Sequence, residues 1–246
     1  MNDAGLNGKS VLITGASSGL GLHFCEVLAK AGANIIMTAR RKELLDKTAE
    51  KFEGARTFEL DVCSSENIDQ VFKQIPSIDV LVNNAGVTET KPALKISEQN
   101  WDRILDTNLK GAWLVSQKAA ALMKFQGKPG VIVNISSILG ERVAKNLLSY
   151  SISKSALIQL TKALALEWAR YKIRVNALAP GYIETDLNRD FFQSQAGKKM
   201  IKRIPMQRTG RLEDLNQPLL LLCGDGGKFM TGSVLVVDGG HLVNSL

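Results

Sequence analysis

With 246 residues, 45% of them hydrophobic and 22% charged, the chain is long enough for one substantial core and has the composition of a soluble globular protein. No apolar run approaches the roughly 18 residues a membrane-spanning helix needs, and MNDAGLNGKSVLITG lacks the basic, apolar, small-residue order of a secretory leader. A net charge of +7 favours anionic ligands or partners, but the cations are not in blocks and no aromatic–basic interleaving marks a nucleic-acid surface.

Short Val/Ile-rich runs alternate with helical patterns from the start. SVLIT (10–14) predicts a strand and Leu20–Ala31 a helix. NIIMT (34–38) is a strand, Lys42–Phe52 a helix, RTFEL (56–60) a strand, a helix follows from about Ser65, and DVLVN (79–83) is a strand. A long helix is predicted over Trp101–Phe125, then strand GVIVNIS (130–136), a second long helix over Ser149–Tyr171, and strand IRVNALAP (173–180). An irregular stretch from Asn188 to Gly210, a short helix containing Pro218 and SVLVVDGG (233–240) complete the chain. The strand runs are continuously apolar, as expected where helices cover both sheet faces, and the strand–helix repetition predicts parallel pairing with right-handed crossovers. No linker or internal repeat divides the sequence. The expectation is one doubly wound α/β domain over 1–246, a Rossmann-type fold with seven parallel strands. Cys25, Cys63 and Cys223 have neither metal-ligand nor disulfide spacing and read as reduced thiols of a cytoplasmic protein.

The first strand runs into TGASSGLG: Thr14, Gly15, Ala16, Ser17, Ser18, Gly19, Leu20 and Gly21. Glycines between a strand and a helix let the backbone approach a diphosphate, and the helix N-terminus offers it free N–H groups. About 20 residues later such sites usually carry a carboxylate for the ribose 2′-hydroxyl. Here position 39 is Ala, followed by Arg40 and Arg41. Guanidinium groups suit a 2′-phosphate, so NADP(H) is expected over NAD(H). Asp61, with Val62 after it, stands where an adenine edge would lie, and Asn83, Asn84, Ala85 and Gly86 form a small-residue loop at a strand's carboxyl end. Tyr150 and Lys154 share a helix face one turn apart, so the ammonium is expected to lower the phenol's pKa towards a useful range.

Together TGASSGLG, NNAG (83–86), Asn108 in DTNLKG, NISS (134–137), YSISK (150–154) and PGYIETDL (180–187) resemble, in order and spacing, the short-chain dehydrogenase/reductase family over nearly the whole chain. The resemblance implies Tyr150 as catalytic acid/base, Lys154 as its tuner and a ribose ligand, and Ser137 as a hydrogen-bond donor to the substrate oxygen, with Ser136 one residue away. It implies that Asn108 holds a proton-relay water. It also implies that Thr14 fixes the glycine loop, that Asn83 and Gly86 contact the cofactor through their backbone, that Ala85, Pro180 and Gly181 belong to the cofactor site, and that Ile183 and Thr185 touch the nicotinamide carboxamide. No metal is expected. Pro218 falls in a helix that is usually unbroken in this family, which bears on assembly; a homotetramer paired through the two long helices is implied. Residues 188–210 become a substrate lid, with Phe191, Phe192, Met200, Ile204 and Met206 apolar and Lys198, Lys199, Lys202 and Arg203 basic. Lys128, Arg170 and Lys172 could extend that basic surface. A carbonyl-reducing enzyme is expected, with an acyl thioester on an acidic carrier protein as one substrate, as in 3-oxoacyl-carrier-protein reductases of fatty acid biosynthesis. Other small ketones, steroids or sugar alcohols are alternatives. A cofactor-binding regulatory protein without turnover is less expected, because Asn108, Ser137, Tyr150 and Lys154 are all present.

Overall fold

The computed structural model describes residues 4–186 and 188–244. Seven strands form one parallel sheet: β1 (Ser10–Thr14), β2 (Asn34–Ala39), β3 (Arg56–Glu59), β4 (Val80–Asn83), β5 (Gly130–Ile135), β6 (Ile173–Pro180) and β7 (Val234–Val237), in the order β3-β2-β1-β4-β5-β6-β7. The order reverses between β1 and β4, which opens a crevice above their carboxyl ends, the place where such folds take ligands.

Alternation along the strands explains their unbroken apolar runs. Val11 and Ile13, Val80 and Val82, and Val133 and Ile135 point to one core. Leu12, Leu81 and Ile132 point to the other. The first core is closed by helices α1 (Gly19–Lys30), α2 (Lys42–Ala49) and α9 (Asn216–Cys223), through Phe24, Leu28, Leu45, Leu219 and Leu222. The second is closed by α3 (Ser65–Phe72), α5 (Ala112–Gln126) and α6 (Leu148–Trp168), through Ile68, Val71, Val115, Met123 and Leu164. Phe24 is fully buried, so its truncation to Ala should cost about 3–5 kcal/mol.

Three elements differ from expectation. The helix expected over Trp101–Phe125 is two helices, α4 (Glu98–Leu105) and α5, joined by a π-helical turn at Asp106–Gly111. A π turn inserts one residue without ending the helix, so the apolar period hides it. Gly111 belongs there because a side chain at that position would collide with Val62. The 188–210 stretch is not irregular: α7 (Arg189–Gln193) and α8 (Gln195–Ile201) meet at Ser194, whose hydroxyl caps α8 at the Gly197 amide. The second long helix ends at Trp168, followed by a tight turn that stops at Lys172 in the left-handed region (φ 60). Pro218 is the third residue of α9, in its first turn, where no intrahelical N–H is needed.

Candidate active site

The carboxyl ends of β1, β2, β4, β5 and β6 surround a cleft of about 770 Å³. One end is built on the glycine loop. Gly15 and Gly19 have φ of +67 and +56, a conformation that other residues adopt at a cost. Any side chain at Gly21 would collide with the Gly15 carbonyl and the Asn84 amide. The N-terminus of α1 has no side-chain cap at Ser18, so its amides are left for a ligand. Thr14 serves the neighbouring loop: its buried hydroxyl accepts the Asn84 and Ala85 amides at 3.0 Å each. Asn84 answers by donating to the Thr14 and Gly15 carbonyls at 3.0 and 3.2 Å. The Arg41 guanidinium donates to the Ser17 and Ser18 hydroxyls at 3.3 and 3.2 Å, joining the β2 end to the glycine loop. Arg40 is exposed at the same edge and lines the cleft with Leu20. Asp61 and Val62 line it too, and one Asp61 oxygen accepts the Cys63 amide at 2.9 Å.

At the other end stand Ser137 and Tyr150, close enough that the Ser137 hydroxyl acts to lower the phenol's pKa. Ser136 also lines the cleft, but its hydroxyl donates to the Lys154 carbonyl at 3.1 Å, which leaves Ser137 as the serine beside the phenol. Lys154 is buried, donates from Nζ to the Ile135 carbonyl at 2.7 Å, and sits 5.6 Å from the Tyr150 ring centroid. Burial lowers its pKa to about 8. The expected lowering of the Tyr150 pKa is not found. Burial raises it above its ordinary value, against the lowering effect of the Ser137 hydroxyl, and the neighbouring Tyr182 adds to the rise. Desolvation is the largest cause, and burial disfavours the charge of the Lys154 ammonium as well.

Pro180, Gly181, Ile183, Thr185, Ala85 and Gly86 line the cleft. Leu187, the last residue of the PGYIETDL motif, lies outside the described residues. Asn83 and Asn108 are elsewhere. The Asn83 side chain is in the core, donating to Asn134 Oδ1 at 2.8 Å and Ser116 Oγ at 2.7 Å, while its neighbour Asn84 faces the cleft. Asn108, in the π turn, gives its amide to the Val87 carbonyl (2.9 Å) and Ser153 hydroxyl (3.0 Å), and accepts the Val87 amide at 2.8 Å. These bonds tie the Val87 loop to α6 beneath Tyr150.

Sequence reasoning missed Tyr182, although it stands inside PGYIET. Its ring lines the cleft, packs edge-on against Phe192 of α7 at 6.3 Å between centroids, and lies 5.4 Å from the His241 ring. The end of the 188–210 stretch is tethered beside it: Glu184 N donates to the Gly210 carbonyl, and Gly210 N to that of Tyr182, at 2.8 and 2.9 Å.

The family model described as Enoyl-(Acyl carrier protein) reductase matches residues 15–241. A 3-oxoacyl-[acyl-carrier-protein] reductase of Aquifex aeolicus is 38% identical over 244 residues, 96% of this chain and 98% of the relative. An L-xylulose reductase of Mesocricetus auratus is 36% identical, over 98% of this chain and 99% of the relative. The crystal structure of a gluconate 5-dehydrogenase from Burkholderia cenocepacia, in complex with NADP and tartrate, superposes with a TM-score of 0.93 at 34% identity, covering 99% of both chains. The chain belongs to the short-chain dehydrogenase/reductase family. It is therefore an oxidoreductase of a family that uses nicotinamide cofactors. The glycine loop fits such a dinucleotide: at Gly21 only a hydrogen fits, and the α1 N-terminus carries no side-chain cap. Among the described residues no cluster of metal-ligating side chains occurs, and no helix is long and apolar enough to cross a membrane.

Proposed function

We propose that the protein interconverts a carbonyl and a secondary alcohol with NADP(H). The carrying observation is that Ser137 and Tyr150, with Lys154 buried 5.6 Å from the tyrosine ring, stand at one end of a cleft whose other end is formed by the glycine loop and two arginines. The nicotinamide, when bound, supplies or accepts the hydride. The glycine-loop backbone and α1 amides would hold the diphosphate, and Pro180, Gly181, Ile183 and Thr185 would flank the nicotinamide. Arg40 and Arg41, with Ser17 and Ser18, would hold a 2′-phosphate: the Arg41 guanidinium is held by the two serine hydroxyls, Arg40 is exposed beside it, and no carboxylate stands at position 39 to repel the phosphate.

In reduction, negative charge develops on the substrate oxygen. The Ser137 hydroxyl donates a hydrogen bond to it and Tyr150 donates a hydrogen bond and then its proton. Because burial raises the Tyr150 pKa, the phenol stays protonated through neutral pH and the proton is there to give. The phenolate left behind is stabilised by the Lys154 ammonium, held in place by the Ile135 carbonyl. In oxidation the same groups run in reverse, and Tyr150 takes the proton.

The named relatives act on an acyl-carrier thioester, a sugar and a sugar acid, so an acidic carrier protein is one candidate partner among several substrate sources. Optical assay of a carbonyl panel with NADPH and NADH tests the reading. NADPH-dependent reduction of at least one carbonyl is expected, and absence of NADPH binding would end it.

A further inference from the structure

Beyond Tyr150 the cleft is walled by Tyr182, and behind that ring lie groups that the chemistry above does not use. Tyr182 lines the cleft and its hydroxyl end is electrostatically felt by Tyr150. Behind it stands the imidazole of His241, 7% exposed, 5.4 Å from the Tyr182 ring. Arg142 belongs to the turn that follows Ser137, with its amide donated to the Ile138 carbonyl at 3.0 Å. Its guanidinium donates through Nη1 to the His241 carbonyl, which brings the turn after Ser137 and the C-terminal turn together beside Tyr182.

The charge here is one-sided. Arg142 is half-buried and forms no ion pair among the described residues. Its charge acts on both Tyr182 and His241, and a second guanidinium, Arg203, also acts on His241. The carboxylate that acts on His241, Asp238, is spent on backbone: its oxygens accept the Gly240 and Leu242 amides at 2.8 and 2.6 Å. Glu184, at the lid entrance, is paired with Arg189 at 3.2 Å. His241 Nδ1 is buried without a hydrogen-bond partner among the described residues. A partly desolvated guanidinium with one bond to a carbonyl keeps a donor fork for an anion, and its planar geometry matches a carboxylate. An uncharged ketone or thioester would leave that cation uncompensated.

We propose that Arg142, backed by the Tyr182 and His241 rings, is a specificity subsite for a carboxylate carried by the substrate, so that this chain acts on oxo and hydroxy acids in preference to uncharged ketones and acyl thioesters. This rests on the reading of the cleft as a hydride-transfer site and selects among its substrates.

The test uses two four-carbon probes, tartrate and the uncharged tetritol erythritol, with inorganic phosphate as a bare anion, in calorimetric titrations of the NADP⁺-saturated protein. Tartrate should bind saturably, with phosphate weaker and erythritol not detected. Arg142→Gln should weaken tartrate about tenfold or more while its NADP⁺ titration and melting temperature match the unmutated protein. Arg142→Lys should recover part of the loss, and Arg170→Gln, a distant charge control, should change nothing. Equal binding of tartrate and erythritol, phosphate as tight as tartrate, or an Arg142→Gln protein with unchanged tartrate affinity would each overturn the subsite. If NADP⁺ fails to bind, the hydride-transfer reading itself falls, and the same tartrate comparison on the unloaded protein still decides the subsite.

Discussion

Lys154 is the residue whose titration should dominate the pH profile. Its pKa is depressed to about 8 by burial, whereas that of Tyr150 is raised. The lysine therefore loses its proton first as pH climbs. Carbonyl reduction should be steady below about pH 7 and fall as pH rises through about 8, because the departing phenolate then loses its cation. Alcohol oxidation, which starts by removing a proton, should be favoured in the direction in which reduction declines. A pH–rate profile of kcat in the reductive direction, flat to pH 10, would show that Lys154 does not support the proton donor. Gly21 makes a second residue-scale case. An added methyl would meet the Gly15 carbonyl, so Gly21→Ala must push the glycine loop apart. Overpacking of this kind typically costs about 1–3 kcal/mol, and here it should show chiefly as weakened dinucleotide binding measured by NADPH fluorescence.

The π turn and the strand ends are the elements that hold these groups in place. Asn83 and Asn134 face each other in the β4–β5 register, and Asn134 Nδ2 donates onward to Thr161 Oγ1 of α6 at 2.9 Å. Asn134→Leu would take one partner each from the Asn83 amide and the Thr161 hydroxyl, and thermal unfolding should record a loss of about 1–3 kcal/mol. At the end of β2, Arg40→Ala should weaken NADPH use roughly tenfold or more, since a charge-assisted contact is typically worth about 1.5–3 kcal/mol, while NADH use barely changes. Equal efficiency with both cofactors before mutation would contradict it. Much of this was legible in the sequence. Strand ends such as SVLIT and IRVNALAP were readable because burial on both faces demands continuous apolar runs. The cleft-lining glycines and arginines were readable because strand–loop–helix context fixes where they go. The π turn was not, because its extra residue leaves the helical pattern nearly unchanged. Nor was the side-chain orientation of Asn83 against Asn84: adjacent strand-end residues point to opposite sides, and their composition is the same. The direction of the Tyr150 pKa also escaped, since a spacing of four reports proximity but not desolvation.

On the scale of the whole molecule, α5 and α6 present apolar groups outward: Trp113, Leu148, Ile152 and Leu166 are 37% exposed or more, and the Ser149 and Ser151 hydroxyls are buried without partners among the described residues. Pairing these helices across a two-fold axis would cover that face, and β7 with α9 offers a second. Sedimentation should therefore give a dimer or tetramer, and a 26.8 kDa species at working concentration would contradict the assembly. The fold as a whole exists, on this account, to bring one phenol's proton to the end of a dinucleotide cleft. The most direct measurement is turnover and NADPH affinity of Tyr150→Phe, which removes one oxygen and keeps the ring. The account predicts unchanged melting temperature, NADPH binding close to that of the unmutated protein, and turnover lower by about 10²-fold or more, the usual scale for a general acid. Full turnover in Tyr150→Phe would show that another group donates the proton, and loss of NADPH binding along with activity would show that the tyrosine is structural.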